Sequence, residues 1–175
     1  MADLTYFLDD ESSEIKRVEF QKDRSDFDFG NLLNKDFFKF LTIPELRILF
    51  KAIFKEVVSK NKVFETYYRC DSPHSKRRYK LKVYHSDHNI VMEHFLVEET
   101  PLSQPVKFME KGDLFLKMCS WCNKFYVSSR GYVELEEAIE ALSLMEHDIL
   151  PKITHGICRD CLAELVKEVE DFVEK

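Results

Sequence analysis

Two pairs of closely spaced cysteines constrain this chain more than any other feature of its sequence. The first pair reads CSWC at residues 119–122, and the second reads CRDC at residues 158–161. Two intervening residues let both sulfurs of a pair turn toward one ion, and two such pairs complete a tetrahedral set of four thiolates. An ion whose coordination positions are all filled by protein is structural rather than catalytic. The sequence therefore predicts one structural zinc ion, with the ligands Cys119, Cys122, Cys158 and Cys161.

The long segment between the two pairs leaves this prediction intact. Residues 123–157 separate the pairs, which is more than the roughly 15–20 residues of the common pattern. A dithiol redox site would need only one pair, and covalent haem attachment would need a histidine where Asn123 and Leu162 stand. An iron–sulfur cluster also accepts four cysteines, so the ligand type alone leaves iron open as the metal.

Three further residues lie near the four cysteines or share their chemistry. His155 either replaces a cysteine as ligand or donates a hydrogen bond to a thiolate, and we expect the second because four cysteines already complete the site. Trp121 is expected to cover the metal-binding turn. Cys70 stands apart from the pairs and is expected to be a small buried apolar side chain.

Residues 1–100 carry the signals of a mixed α+β domain. Thr42 and Glu45 have the spacing of a capping box, Pro44 is compatible with a first helical turn, and apolar residues then recur at helical spacing as far as Lys60. We also expect strands in two groups, a hairpin at residues 4–8 and 16–20 and a meander at residues 63–69, 78–84 and 89–97.

A second domain is predicted at residues 113–175, after a linker assigned to residues 101–112. It contains a hairpin at residues 114–118 and 124–127, a helix at residues 135–145 and a final helix from about residue 159. A hairpin, a cysteine-bearing turn and a helix that carries the last two ligands make a treble-clef-like arrangement. We therefore expect an α+β chain of two domains.

The overall charge argues against binding to the phosphates of DNA. The formal net charge is −6, whereas proteins that rely on the phosphate backbone usually present a basic face. The most basic stretch, residues 76–82, partly alternates in polarity, and we interpret it as a solvated strand face.

The compartment is inferred from two absences in the sequence. The first residues do not resemble a targeting signal, and no apolar run approaches the roughly 20 residues that a membrane-spanning helix needs. We therefore expect a cytoplasmic protein, in a reducing environment where paired CxxC motifs indicate metal more often than disulfides.

Three stretches of the sequence carry a resemblance to one known family: residues 31–58, the RCDSP segment with the RRY that follows it at residues 69–79, and the region from CSWC to HGICRDC at residues 119–161. Together they resemble small bacterial PAS-like proteins that end in a zinc-binding tail. The resemblance implies a PAS-like antiparallel sheet with helices, which binds a small molecule or a protein partner. It also implies self-association into a homodimer.

Arg69, Asp71 and Arg78 form a candidate set for contact with a ligand or partner, because they lie around one predicted hairpin. In the alternative interpretation, which we favour, Asp71 and Ser72 bond the backbone of the turn and the arginines pair with acidic neighbours.

Together these observations predict a non-catalytic sensory or regulatory module with a structural zinc domain for docking or signal relay. The sequence has no nucleophile elbow, no phosphate-binding glycine loop and no HExxH motif, so no enzymatic activity is expected. Two alternatives are a zinc-braced transcriptional regulator that binds DNA and a thiol redox protein that uses the CxxC pairs.

Overall fold

The computed structural model describes residues 2–21, 31–72, 74–102, 111–143 and 150–174. Within these ranges the chain is an α+β protein with two sheets. In chain order its elements are β1 (Leu4–Asp9), β2 (Ile15–Phe20), a short 3-10 turn (Phe37–Lys39), α1 (Pro44–Lys60), β3 (Phe64–Arg69), β4 (Ser75–Ser86), β5 (Asn89–Pro101), β6 (Lys111–Cys119), β7 (Phe125–Val127), β8 (Gly131–Val133), α2 (Leu135–Ala141), β9 (Leu150–Gly156) and α3 (Arg159–Glu174).

The first sheet has five antiparallel strands in the order β2-β1-β5-β4-β3. Both predicted strand groups are confirmed, and the pairing of β1 with β5 joins them into one sheet. The strands β4 and β5 are longer than predicted and pair from Ser75 with Pro101 to Ser86 with Asn89. The predicted linker begins inside this extension, since β5 ends at Pro101, and residues 103–110 lie outside the described ranges.

The helix α1 begins at Pro44, and its start corrects one prediction. Its N-cap is Ile43, which makes no side-chain capping hydrogen bond, so the predicted capping box of Thr42 and Glu45 is wrong. Proline has a fixed φ and no N–H, which suits the first helical position. Pro44 therefore sets the cap at the preceding residue, one position later than a box beginning at Thr42 requires.

The main hydrophobic core lies on one face of the first sheet, which we call the inner face, beneath both α1 and α3. The sheet contributes Phe64, Leu81, Val83 and Ile90, and the 3-10 turn adds Phe38. The helices contribute Leu46, Phe50, Ile53, Phe54 and Val57 from α1 and Leu165 and Val169 from α3. The C-terminal helix is therefore part of the core of the N-terminal sheet, although the predicted boundary placed the two in separate domains.

The second sheet has four strands in the order β8-β7-β6-β9. The predicted hairpin of β6 and β7 is confirmed, whereas β9, which runs parallel to β6, was not predicted. A small second core lies here, formed by Leu116, Phe125, Val127, Val133 and Ala138. The helix α2 is confirmed as far as Ala141, but it ends there with Leu142 as its C-cap, so the predicted helix is too long at residues 142–143. The last part of its predicted range, at residues 144–145, lies outside the described ranges.

Two polar side chains meet within the aromatic part of the main core. The hydroxyl of Tyr68 lies 2.7 Å from Nδ1 of His94, and the ring of Tyr6 meets the His94 ring edge-on with centroids 5.6 Å apart. Burial lowers the pKa of His94 from its ordinary value of 6.5 to about 4. The imidazole is therefore neutral in the folded chain at neutral pH.

No described helix is both long and apolar enough to cross a membrane.

Because α3 packs into the core of the first sheet, removing a buried side chain of α3 is expected to lower the stability of the sheet as well as of the helix. Leu165 is 1% exposed, and truncating a buried leucine to alanine costs about 2–5 kcal/mol. We expect Leu165→Ala to lower the midpoint of urea unfolding and to increase amide exchange in β4 as well as in α3. The control is Glu164→Ala, at an exposed position of the same helix. Unchanged exchange in β4 would contradict a shared core.

The burial of His94 predicts a loss of stability in mild acid. The unfolded chain takes up a proton at the ordinary pKa of 6.5, whereas folded His94 does so only near pH 4. Its contribution to stability is therefore present above about pH 6.5 and is lost as the pH falls toward 4. We expect His94→Gln to show a shallower decline of the unfolding midpoint over this interval. Equal slopes for both proteins would contradict this assignment, because acid release of a metal affects them alike.

Candidate metal centre

The first cysteine pair lies on a tight turn at the end of β6. The N–H of Cys119 donates to the carbonyl of Lys124 over 2.8 Å, and the N–H of Asn123 donates to the carbonyl of Cys119 over 2.9 Å. Asn123 has a φ of 56°, a left-handed conformation that asparagine tolerates better than most side chains. The turn therefore closes on itself and presents Cys119 and Cys122 together.

The second pair lies at the start of α3. The carbonyl of Cys158 accepts from the N–H of Leu162 over 3.0 Å, so Cys158 occupies the capping position and Cys161 lies in the first turn. The N–H of Cys161 donates to Sγ of Cys158 over 3.4 Å. The free N–H groups and the positive end of the helix dipole favour negative charge here.

The parallel strand β9 brings the two pairs together. Cys119 lies opposite Gly156 in the register of β6 and β9, and the N–H of Ser120 donates to the carbonyl of Gly156 over 2.8 Å. The chain then reaches Cys158 directly beside Cys119, whose Sγ accepts from the N–H of Cys158 over 3.3 Å.

The resulting sulfur cluster has the dimensions of a four-thiolate metal site. The four Sγ atoms lie within 4.8 Å of one another, and those of Cys122 and Cys158 are 3.9 Å apart. A tetrahedral zinc ion with Zn–S bonds of about 2.3 Å would separate its sulfurs by about 3.8 Å. Cys119, Cys122, Cys158 and Cys161 lie together as predicted, and the site fits a metal ion.

The cluster distributes negative charge unequally among its sulfurs. Hydrogen bonds from the Cys122 thiol and from the backbone N–H groups of Cys158, Cys122 and Trp121 lower the pKa of Cys119 to about 4. Burial, followed by the hydrogen bond with Cys158, raises the pKa of Cys161 to about 12. The hydrogen bond with Cys119, together with burial, also raises the pKa of Cys122. Crowded thiolates repel one another, so a bound cation is what allows all four to ionise.

Two predicted neighbours of the metal differ in their positions. The backbone N–H of Trp121 donates to Sγ of Cys119 over 3.4 Å, while the indole packs on Tyr68 with ring centroids 5.9 Å apart. The indole thus contacts the main core as well as belonging to the metal-binding turn. His155 is exposed on β9 opposite Met118, and among the described residues it is outside the metal-binding group.

Cys70 is exposed, so the prediction that it is buried is wrong. It follows directly after Arg69, the last residue of β3, where the chain leaves the sheet. Its isolation from the metal-binding set is as expected, because the cluster contains the other four cysteines.

The candidate contact set is divided by the structure. Arg69 and Asp71 form an ion pair, and the Asp71 carboxylate accepts from the N–H of Arg77 over 2.9 Å. Arg69 also pairs with Glu134 over 2.9 Å. Arg78 instead lies over the ring of Tyr67, 4.7 Å from its centroid. The first three contacts match the alternative interpretation, in which Asp71 bonds the turn and an arginine pairs with acidic neighbours.

Sequence reasoning missed Glu134 and His94, which both make contacts between distant segments. Glu134 lies just before α2 and connects Arg69 with the C-terminal region. Neither residue belongs to a motif, and each contact joins segments far apart in the chain, so no local pattern could reveal them.

Comparison with known proteins found no matching family model, no similar curated protein and no similar solved structure. The case for a metal centre therefore rests on how the chain arranges its own four cysteines.

Removal of one ligand is expected to abolish stoichiometric metal binding. We expect Cys119→Ser to hold less than one zinc per chain by elemental analysis, because a serine hydroxyl is a poor substitute for a thiolate. Residues 114–165 should lose protection from amide exchange more than residues 31–97. The control is Cys70→Ser, which leaves the cluster intact and should retain one zinc. A Cys119→Ser protein with one zinc and unchanged melting would contradict the ligand assignment.

Proposed function

We propose that this chain is a non-catalytic bacterial sensory or regulatory module of the cytoplasm. Its PAS-like N-terminal part binds a small ligand or a protein partner, and its zinc-bearing C-terminal part docks to a partner or relays the signal. One observation carries the proposal. The helix α3 begins at the cysteine cluster and packs into the core of the first sheet.

A metal site with four cysteine ligands supports a non-catalytic role. Four protein ligands leave no position for a water or a substrate, so the ion organises the fold instead of activating a reactant. The five-stranded antiparallel sheet with helices over one face is consistent with a PAS-like domain.

Direct contacts couple the first sheet to the metal-binding turn. The N–H of Arg69, the last residue of β3, donates to the carbonyl of Trp121 over 2.8 Å. Lys76 of β4 pairs with Glu134 over 3.3 Å and with Glu136 over 2.9 Å. Movement of the β3–β4 end of the sheet would therefore displace the metal-binding turn and α2.

Further contacts fasten α3 along the inner face. The hydroxyl of Thr66 on β3 donates to Glu168 over 2.6 Å, and the rings of Phe64 and Phe172 lie 5.2 Å apart. The ammonium of Lys62 donates to the carbonyl of Phe172 over 2.9 Å, which satisfies a free carbonyl at the helix end. A ligand that moves side chains on the inner face would therefore also displace α3, because α3 contacts this region at several points.

Exposed apolar side chains on the first sheet give the proposed self-association a surface. Tyr67 is 45% exposed and Val97 is 49% exposed. Single large apolar side chains are common at protein surfaces. These two are therefore compatible with a dimer interface on this sheet, but they do not identify its position.

The two alternatives have less support. Within the basic stretch, Lys76 pairs with two glutamates and Lys80 pairs with Glu65 over 2.8 Å, which leaves less charge for DNA phosphates. A thiol redox role would suit two separate dithiols, whereas the four sulfurs gather at one point.

The relay is tested by removing the charge of Glu134. Glu134→Gln weakens the ion pairs with Arg69 and Lys76, so we expect faster amide exchange at residues 66–69 and 119–122 in the zinc-loaded protein. The matched control is Glu137→Gln, because Glu137 pairs only with Arg130 in an exposed contact of 3.3 Å among the described ion pairs. Equal exchange in both variants would contradict coupling through this contact.

Binding is tested by light scattering after size exclusion and by native mass spectrometry of the zinc-loaded chain. We expect a dimer, or a chain that retains an organic ligand. A monomer that retains none and does not self-associate on concentration would contradict the proposed function.

A further inference from the structure

A buried nitrogen of His94 has no hydrogen-bond partner within the described part of the chain. His94 lies on β5, two residues beyond Met92 and four beyond Ile90, so it points to the inner face as they do. The residue is only 9% exposed, and Nε2 is buried without a partner. Buried polar atoms in native proteins nearly always have a hydrogen-bond partner, and an unpaired one destabilises the folded state.

The contact with Tyr68 determines whether the unpaired nitrogen, Nε2 of His94, carries a hydrogen. Burial raises the pKa of Tyr68, so its hydroxyl keeps its proton and can donate it to Nδ1 over 2.7 Å. A neutral imidazole that accepts at Nδ1 carries its own hydrogen on Nε2. In the reverse assignment Nδ1 would donate to the hydroxyl, and the Tyr68 hydrogen would have no acceptor among the described contacts. The unpaired atom is therefore an N–H donor.

The surroundings of this donor are aromatic. Tyr6 and Tyr68 both meet the His94 ring edge-on, with centroids 5.6 Å and 5.7 Å away. Tyr68 also stacks on Tyr79 and contacts Trp121. An ordered buried water needs two to four polar partners, and ring surfaces supply few. A molecule with an apolar body and one acceptor atom suits such surroundings better.

We infer that His94 anchors a small, uncharged organic molecule at the inner face, with Nε2–H donating to a carbonyl or similar acceptor oxygen. The inference rests on the proposed function and identifies the chemistry of its ligand. A charged molecule is disfavoured, because an ion loses its hydration among aromatic rings. Tyr68 connects this position to Trp121, so the ligand would lie one side chain away from the metal-binding turn.

The test uses the full zinc-loaded chain and three probes of similar size. Acetophenone has an aromatic body and a carbonyl, ethylbenzene has no acceptor, and benzoate carries a charge. We expect acetophenone to raise the melting temperature of the wild type more than the other two and to shift the His94 Nε2–H resonance. Native mass spectrometry of gently purified protein should also show a bound organic mass that denaturation releases.

The matched variant replaces both polar partners with rings, Tyr68→Phe together with His94→Phe, and Tyr84→Phe serves as the control. Removing both partners of a buried hydrogen bond is often close to neutral for stability. We expect the double variant to lose the bound mass and the response to acetophenone, while Tyr84→Phe retains both.

The outcomes separate this inference from the proposed function. An organic mass that survives in the folded double variant would preserve ligand binding but overturn the role of His94. A wild type with no bound mass and no preference for acetophenone, or with a single water at Nε2 in a crystal structure, would overturn the inference. Light scattering would then still test whether the chain forms the dimer of the proposed function.

Discussion

The parallel pairing of β9 with β6 places Gly156 opposite Cys119, and the arrangement of the C-terminal region depends on this contact. Two residues after Gly156 the chain reaches Cys158, which caps α3 and completes the sulfur cluster. Without the pairing, the cysteine pairs would be the two ends of a long loop, whose closure has an entropic cost that grows slowly with length. A metal ion bound by the four cysteines would add folding free energy to this pairing, because its site forms only in the folded chain.

The position of α3 then connects two regions that the sequence separates. Its first turn belongs to the cluster, while Leu165 and Val169 are buried in the core of the first sheet. An ion bound at the cluster would therefore act on the sheet as well as on its own ligands, because fixing the start of α3 also fixes where those side chains are inserted. The proposed relay would have to move α3 between discrete arrangements, because well-packed cores do not deform continuously.

Features determined by local chemistry could be predicted from the sequence, and those that depend on distant contacts could not. The ligand set follows from spacing alone, and α1 follows from Pro44 and the apolar period after it. The cap at Thr42 was wrong because Pro44 has the stronger local preference. The strand β9 has no apolar alternation, since residues 152–155 are all exposed. The strand β9 forms because it can pair with β6, and parallel pairing between distant segments leaves no pattern in the local sequence.

His94 shows the same limit for a single side chain. At the level of sequence it is one polar residue in a strand, and only the inner face and the Tyr68 contact make its Nε2 unusual. The unpaired donor lowers the stability of the chain alone, so a molecule that satisfies it stabilises the folded state by mass action. That gain would be made at His94, which contacts Tyr68, and Tyr68 in turn packs on Trp121 of the metal-binding turn. If His94 binds the inferred ligand, the side chain that weakens the unliganded fold is also the one through which binding reaches the metal-binding turn.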